Sequence, residues 1–372
     1  SNKNWPILAT SIAKKWLMDG KGLQDRSITR DLDWGIPVEK DGRPWEGMEN
    51  KVFYVWFDAP IAYISSTVDW AASNKKHSDY WKSWWLYDHG AEDVHYVQFM
   101  AKDNIPFHTL SFPATLLGAN PSWKLVDYIK GFNWLTYEGG KFSTSQKRGV
   151  FMNQALDLFP SDYWRWWLLS NAPETSDADF TWKSFQSCVN KDLADVLGNF
   201  VSRLTKFTLS KFGEAIPKGK QYGQEELNTI LEIENILKNY DEAMTKIEIR
   251  KATSCLRKIW SIGNEYLQRS QPWVVIKTNE AEAAKIIRFG FNLMLFFSEI
   301  SGPFIPETAY KIKNCLSKSY AKGQWPSIGK NFASAFEKIE VGAKFSPMEN
   351  LFKKIEDDYV LELEKQFGGR DD

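Results

Sequence analysis

The chain has 372 residues and a mass of 43.0 kDa, enough for two or three domains. Its 43% apolar and 25% charged content excludes a disordered or fibrous chain, and no run of about 18 apolar residues marks a transmembrane helix. Lys plus Arg and Asp plus Glu both number 47, but residues 181–350 hold 24 basic and 18 acidic side chains, leaving +6 there and −6 elsewhere, a balance suited to a polyanion held mainly by one half.

In chain order, Ile7, Ile12, Ala13, Trp16 and Leu17 have helical spacing, predicting a helix over 7–20 that stops at Gly20. A loop rich in charge, Gly and Pro follows. Residues 51–57, KVFYVWF, form a continuous apolar run that reads as a buried strand ending at Asp58-Ala59-Pro60. Residues 94–101, VHYVQFMA, read as a second strand. After it comes KDNIPFH, with Asn104 as an N-cap and Pro106 in the first helical turn. Strand, loop and helix twice in succession predict a parallel α/β sheet. Residues 125–152 read as short strands and loops around Gly139-Gly140. From Trp182 the pattern becomes amphipathic helices, over 189–204, 225–245, 247–268, 281–300 and 306–316. Residues 319–345 are weakly patterned, and 347–367 read as a final helix ending at Gly368-Gly369. The three cysteines, Cys188, Cys255 and Cys315, are odd in number and lack CxxC spacing, so neither a disulfide framework nor a zinc site is indicated.

Three segments carry chemistry. In YVWFDAPIAY, Trp56, Ala59, Pro60 and Tyr63 would lie where ligands of parallel sheets bind and would wall a narrow apolar pocket. In AKDNIPFH, Asn104 and His108 are four apart and face one side of a helix. In GGKFSTSQKRGVF, two serines, Thr144 and the cations Lys141, Lys147 and Arg148 share one Gly-flanked segment suited to phosphate oxygens. Taken singly, each has a plainer reading: core packing for the first two, a solvated basic loop for the third.

In this order the segments resemble the class I aminoacyl-tRNA synthetases, and most closely the methionyl-tRNA synthetase family. FYVWFDAPIAY resembles that family's amino-acid pocket, KFSTS its mobile KMSKS loop, and GNFVSR (198–203) with QPW (271–273) its anticodon-reading residues. The tail from Phe345 to Gly369 resembles the eukaryote-like branch. The resemblance implies activation of methionine with ATP and Mg²⁺ and its transfer to the 3′ end of tRNA(Met). It implies a methionine pocket of Trp56, Ala59, Pro60, Tyr63, Asn104 and His108. It also implies an ATP-binding loop of Lys141, Phe142, Ser143, Thr144 and Ser145, and catalytic cations at Arg30, Lys141 and Lys147. Asn199, Arg203, Pro272 and Trp273 become the anticodon contacts, with Trp273 an exposed indole awaiting a base.

Two departures stand out. The loop motif's second lysine is Thr144 here, with Lys147 three residues further on as the replacement cation. The HIGH signature, any GxGxxG or P-loop and the zinc-knuckle cysteines are not found in the chain, so it reads as the carboxyl-terminal part of a synthetase, expected to be inactive alone in forming methionyl-adenylate. The expected fold is a parallel α/β sheet, a partial Rossmann-like catalytic domain, followed by an all-α helical bundle that binds the anticodon. Its divisions would be 1–125 for the second half of the catalytic domain, 126–180 for the stem-contact region with the KFSTS loop, 181–350 for the helical domain and 351–372 for the tail. The expected setting is the cytoplasm, without membrane or DNA. The alternative is a non-catalytic tRNA-binding module that uses the helical part alone.

Overall fold

The computed structural model describes residues 5–18, 22–119, 122–316, 325–329, 331–346, 348 and 350–369. The chain forms two compact units, Ser1–Trp134 with Glu174–Ser176, and Leu135–Pro173 with Asp177–Asp372.

The first unit begins with helix α1 (Ile7–Met18); Gly20, the expected stop, lies outside the described residues. Strand β1 (Thr29–Arg30) is followed by a hairpin of β2 (Glu39–Lys40) and β3 (Arg43–Pro44). The hairpin turns on Asp41 and Gly42, both at positive φ, the geometry of a two-residue turn matched to strand twist. Strand β4 (Val52–Phe53) pairs antiparallel with β1, Arg30 opposite Val52. The expected strand over 51–57 is therefore mostly absent. Its remainder is helix α2 (Val55–Asp58), a short turn over Ala59–Ile61 and helix α3 (Ala62–Ser73). Pro60 sits at the first positions of the turn, where its fixed φ suits helical geometry. A short apolar run has no period to separate strand from buried helix.

After α4 (Lys82–Trp85), strand β5 (Val97–Ala101) leads through a helical turn over Lys102–Asn104 and a π-helical turn over Phe107–Ser111 into α5 (Phe112–Ala119). Strand β6 (Tyr128–Phe132) pairs with β5 in parallel, from Val97 opposite Tyr128 to Ala101 opposite Phe132. This is the parallel α/β arrangement expected of residues 94–119. Ala9 of α1, Ile105 and Ile129 make the small core around these strands.

In the second unit, β7 (Leu135–Tyr137) precedes the Gly139-Gly140 turn, α6 (Met152–Leu158) and α7 (Ser161–Ser170), and pairs in parallel with β8 (Ala178–Phe180). Helix α8 (Trp182–Cys188) starts at a Thr181 cap, whose hydroxyl accepts from the Ser184 amide. The core here is aromatic: Trp164 and Phe185 rings lie 4.4 Å apart, and Phe180 stacks on Tyr137 at 5.7 Å. The buried indoles keep partners, Trp182 Nε1 donating to the Tyr137 hydroxyl at 2.8 Å and Trp164 Nε1 to the Ala155 carbonyl at 2.7 Å.

A π-helical stretch over Val189–Gly198 continues into α9 (Asn199–Phe212), and α10 (Gln224–Thr245), α11 (Ile249–Ser270), α12 (Pro272–Val275), α13 (Glu280–Ser301) and α14 (Pro306–Leu316) complete the helical bundle. Helix α13 is buried nearly all round, as an apolar central helix must be. The last helix, α15, spans only Asp357–Phe367, shorter than the expected 347–367. Residues 351–356 are instead pulled into non-helical backbone that buries Phe352 and Ile355, the Ile355 amide donating to Asn190 Oδ1 at 2.9 Å.

Gly263 of α11 sets how closely the helices approach. A Cβ there would fall 2.8 Å from Phe297 of α13 and 2.9 Å from Phe200 of α9. Gly263→Ala should therefore destabilise the protein by about 1–3 kcal/mol through overpacking. A lower urea midpoint with an unchanged m-value is the expected reading; an unchanged midpoint would show that the two rings give way freely.

Candidate functional site

In the first unit, Trp56 lies on α2 and stacks on Phe107 with ring centroids 4.9 Å apart and planes 14° apart. Tyr63, in the first turn of α3, meets His108: Oη and Nε2 are 2.9 Å apart. His108 Nδ1 lies 2.8 Å from the Asn104 carbonyl oxygen. A carbonyl only accepts, so Nδ1 carries the proton, and in the neutral ring Nε2 must accept the Tyr63 hydroxyl proton. Burial lowers the His108 pKa, opposed by the Asn104 carbonyl bond, and burial raises that of Tyr63. Both shifts keep the pair uncharged. Asn104 thus acts through its main chain, and no side-chain capping bond is formed at the helix start. Pro60 is buried and Ala59 half-buried in the turn between Trp56 and Tyr63.

Arg30, on β1, lies 3.9 Å over the Tyr54 ring and donates to the carbonyls of Ser27 at 2.9 Å and Thr29 at 2.7 Å. Arg30 and Trp56 line one cavity of about 760 Å³, together with Tyr54 and Phe107. Tyr63, His108, Ala59, Pro60 and Asn104 do not line it. Sequence reasoning missed Tyr54 and Phe107, whose only signal was adjacency to the chosen motif residues.

In the second unit, the Gly-flanked loop is a closed turn. Ser143 and Arg148 exchange main-chain hydrogen bonds of 3.0 and 2.9 Å. Between them Lys147 has φ of 54°, and the Gln146 amide donates to Ser143 Oγ at 3.3 Å. Gly149 has φ of 103°, and a Cβ there would lie 2.3 Å from the Phe142 ring, so the position demands glycine. Phe142 is half-buried, 5.3 Å from the Tyr137 ring. Arg148 donates to the carbonyls of Tyr137 at 3.1 Å, Glu138 at 2.9 Å and Gly368 at 3.4 Å, and the Gly149 amide donates to Phe367 O at 3.0 Å. Arg148 is therefore a strut that ties the loop to the end of α15. Lys141, Thr144, Ser145 and Lys147 remain exposed, and neither lysine makes an ion pair among the described residues.

Asn199 and Arg203 line a groove of about 340 Å³ with Ser261, Asn264 and Gln268 of α11. Asn264 donates to the Val196 carbonyl at 2.9 Å and accepts from Asn199 Nδ2 at 3.4 Å. The Arg203 guanidinium sits 4.7 Å over the Trp273 ring. Trp273 is half-buried, correcting the expectation of an exposed indole: a cation already covers one face. Pro272 is buried at the start of α12, after Gln271 in the left-handed region at φ 42°.

The sequence profile described as "tRNA synthetases class I (M)" matches residues 1–205, and "Anticodon binding domain of methionyl tRNA ligase" matches residues 216–372. The chain belongs to the methionyl-tRNA synthetase family. Proteins of this family named "Methionine--tRNA ligase" from Cereibacter sphaeroides and Dinoroseobacter shibae are each 56% identical, over 369 and 372 residues, covering 99% and 100% of this chain. The chain spans 64% of the length of these relatives. A structure of Mycobacterium tuberculosis methionyl-tRNA synthetase in complex with methionyl-adenylate shares the fold, with a TM-score of 0.75 at 22% identity over 94% of this chain and 64% of that one. The family fold, parallel strands followed by a helical anticodon-binding domain, is the one observed.

Two outcomes follow from the geometry. Because the folded pKa of His108 is depressed, its neutral form contributes stability present above about pH 6.5 that is lost as pH falls toward the depressed value. Urea unfolding between about pH 7.5 and 5.5 should show a slope, at most about 1.4 kcal/mol per pH unit, that is shallower in His108→Asn. Identical slopes would remove this assignment. Arg148→Ala removes a charged donor from three carbonyls, at about 1.5–3 kcal/mol for such a bond. The loop should become the first site of limited proteolysis; an unaltered cleavage pattern would show that Arg148 is not what closes it.

Proposed function

We propose that this chain supplies the methionine-side wall, the phosphate-binding loop and the anticodon-reading domain of a methionine–tRNA ligase. The observation that carries this reading is the uncharged Tyr63–His108 pair next to Trp56. Uncharged aromatic groups gathered in this way suit a neutral thioether, whose sulfur gains about 0.3–1.5 kcal/mol against a ring. Charged amino-acid side chains would have to shed water there without a partner.

The chemistry is a displacement at phosphorus followed by acyl transfer. The methionine carboxylate attacks the α-phosphate of ATP, pyrophosphate leaves, and a 3′-terminal ribose hydroxyl of tRNA then attacks the activated carbonyl as AMP departs. Both steps need positioning and charge neutralisation more than proton transfer. Lys141 and Lys147 are exposed, cationic and unpaired among the described residues, with Lys147 in the place of the cation that Thr144 does not supply. Arg30 faces the cavity that Trp56 lines. No group of three His, Cys, Asp or Glu side chains suited to a metal occurs among the described residues, so Mg²⁺ fits here as part of the substrate, carried on the ATP phosphates. No described helix is long and apolar enough to cross a membrane, and the cytoplasm, where tRNA is charged, is the proposed setting.

In the helical unit, Asn199 offers an amide edge and Arg203 with Trp273 a stacked cation and ring, the groups that read a splayed RNA base. Removing the Trp273 ring should weaken tRNA(Met) binding by about 1–3 kcal/mol. Arg203→Ala should also relax preference at one anticodon base, whereas a distant Lys→Ala should weaken all tRNAs alike. Filter binding with each anticodon base replaced in turn measures both, and an unchanged base preference in both variants would sink the assignment. Isothermal titration of methionine into the chain and into Trp56→Ala tests the pocket. Tight tRNA binding with equal, absent methionine binding in both would favour the tRNA-binding module instead.

A further inference from the structure

Pro272 and Trp273 begin α12, a helix of four residues with no side-chain cap. A single turn cannot hold itself, because fixing the first turn of a helix is unfavourable until further turns follow. The residue before it is strained as well. Gln271 has φ of 42°, a conformation that a residue with a side chain keeps only where its surroundings enforce it. The place of the Trp273 ring is therefore set from outside α12.

Both flanks of α12 lead to one carboxylate. Glu226, in the first turn of α10, is 1% exposed. Its Oε1 accepts from the Tyr266 hydroxyl of α11 at 2.6 Å. Its Oε2 accepts from the Gly223 amide at 2.7 Å and pairs with Lys285 Nζ of α13 at 3.0 Å. Tyr266 and Lys285, both buried, stand on either side of α12 in the chain. Residues 266–285 thus form a loop closed on Glu226. Beside it, Arg269 of α11 donates to Glu225 at 2.7 Å. A glutamate that only capped α10 would need no more than the Gly223 amide and could stay in water. A buried ion pair seldom adds stability over apolar packing of the same volume, since both charges shed their water. What donors from two further helices do supply is a fixed geometry.

We propose that Glu226 is a positioning residue for base recognition: through Tyr266 and Lys285 it clasps both ends of residues 266–285 and so holds Trp273 against Arg203. Glu226 itself touches no base. The proposal rests on the anticodon reading above, and deepens it by naming what keeps the ring in place.

The test is binding of tRNA(Met), with its own anticodon and with each anticodon base replaced in turn, to the full 372-residue chain and its variants. Tyr266→Phe deletes one donor of the clasp. Glu226→Gln combined with Lys285→Met removes both charges together, so neither is left buried and unpaired. Tyr240→Phe is the control: it deletes a hydroxyl that donates to the Ile300 carbonyl at 2.8 Å, near the other end of α10 and outside the clasp. Loosening the clasp should lower discrimination at one base by at least about 5-fold, the lower end of what a stacked base supplies. Affinity for tRNA with that base replaced should stay nearly unchanged, because phosphate contacts are untouched. The control should discriminate as the unaltered chain does. With 5-fluorotryptophan in the chain, the ¹⁹F resonance of Trp273, assigned by Trp273→Phe, should move in both clasp variants and not in the control. A resonance unmoved in both overturns the proposal. Equal loss of discrimination in the control also overturns it, since the effect would then be one of general stability. If both clasp variants discriminate fully while Trp273→Ala does not, this proposal fails alone. If Trp273→Ala also discriminates fully, the anticodon reading fails with it.

Discussion

The helical unit depends on how closely α11 can approach its neighbours. Gly263 has no side chain, and the rings of Phe200 and Phe297 occupy the space a methyl group would need. The next residue, Asn264, is thereby carried to the start of α9, where it reaches the Val196 carbonyl and the Asn199 amide. The groove between α9 and α11 follows from that approach. A similar constraint recurs at Gly290, where a Cβ would fall 2.7 Å from Leu204 of α9. Close packing has little capacity to yield, so a polar edge several residues away is placed by contacts that are entirely apolar.

The two units handle charge in opposite ways. In the first, burial keeps the Tyr63–His108 pair neutral, and the Asn104 carbonyl chooses which ring nitrogen holds the proton. That arrangement suits a ligand side chain with no charge. In the loop of the second unit, lysines stay in water, where a cation costs nothing to keep. The cavity that Trp56 lines has both aromatic and cationic side chains in its wall.

Arginines illustrate why a cation in a motif is not by itself a ligand contact. Arg148 lies in the loop proposed to bind phosphate but gives its donors to three carbonyls, and so serves the loop's shape. Arg203 covers the Trp273 ring, so a base approaching that face meets a guanidinium already stacked. Arg30 is held by two carbonyls and a ring, which points its remaining donors rather than leaving them to wander. Each case depends on a partner distant in sequence or on a local backbone turn.

What the sequence by itself determined is local in origin. Helices α10, α11, α13 and α14 carry a 3.6-residue period, and their observed spans fall within a few residues of the expected ones. The strand near 94–101, the helix after it and the Gly139-Gly140 turn are likewise set by neighbours in the chain. The family was also legible, because ordered motifs survive as residue strings. Tertiary structure decided the rest. KVFYVWF has no period, and only pairing of Val52–Phe53 with Thr29–Arg30 ended the strand there and let α2 form. The tail lost the first part of its expected helix because Asn190 offered the Ile355 amide a better-placed acceptor and the core took Phe352. Which cations are spent and which are free could not be read from charge alone, since a guanidinium's partners are carbonyls and rings that the folded backbone brings to it, near in sequence for Arg30 and distant for Arg148 and Arg203.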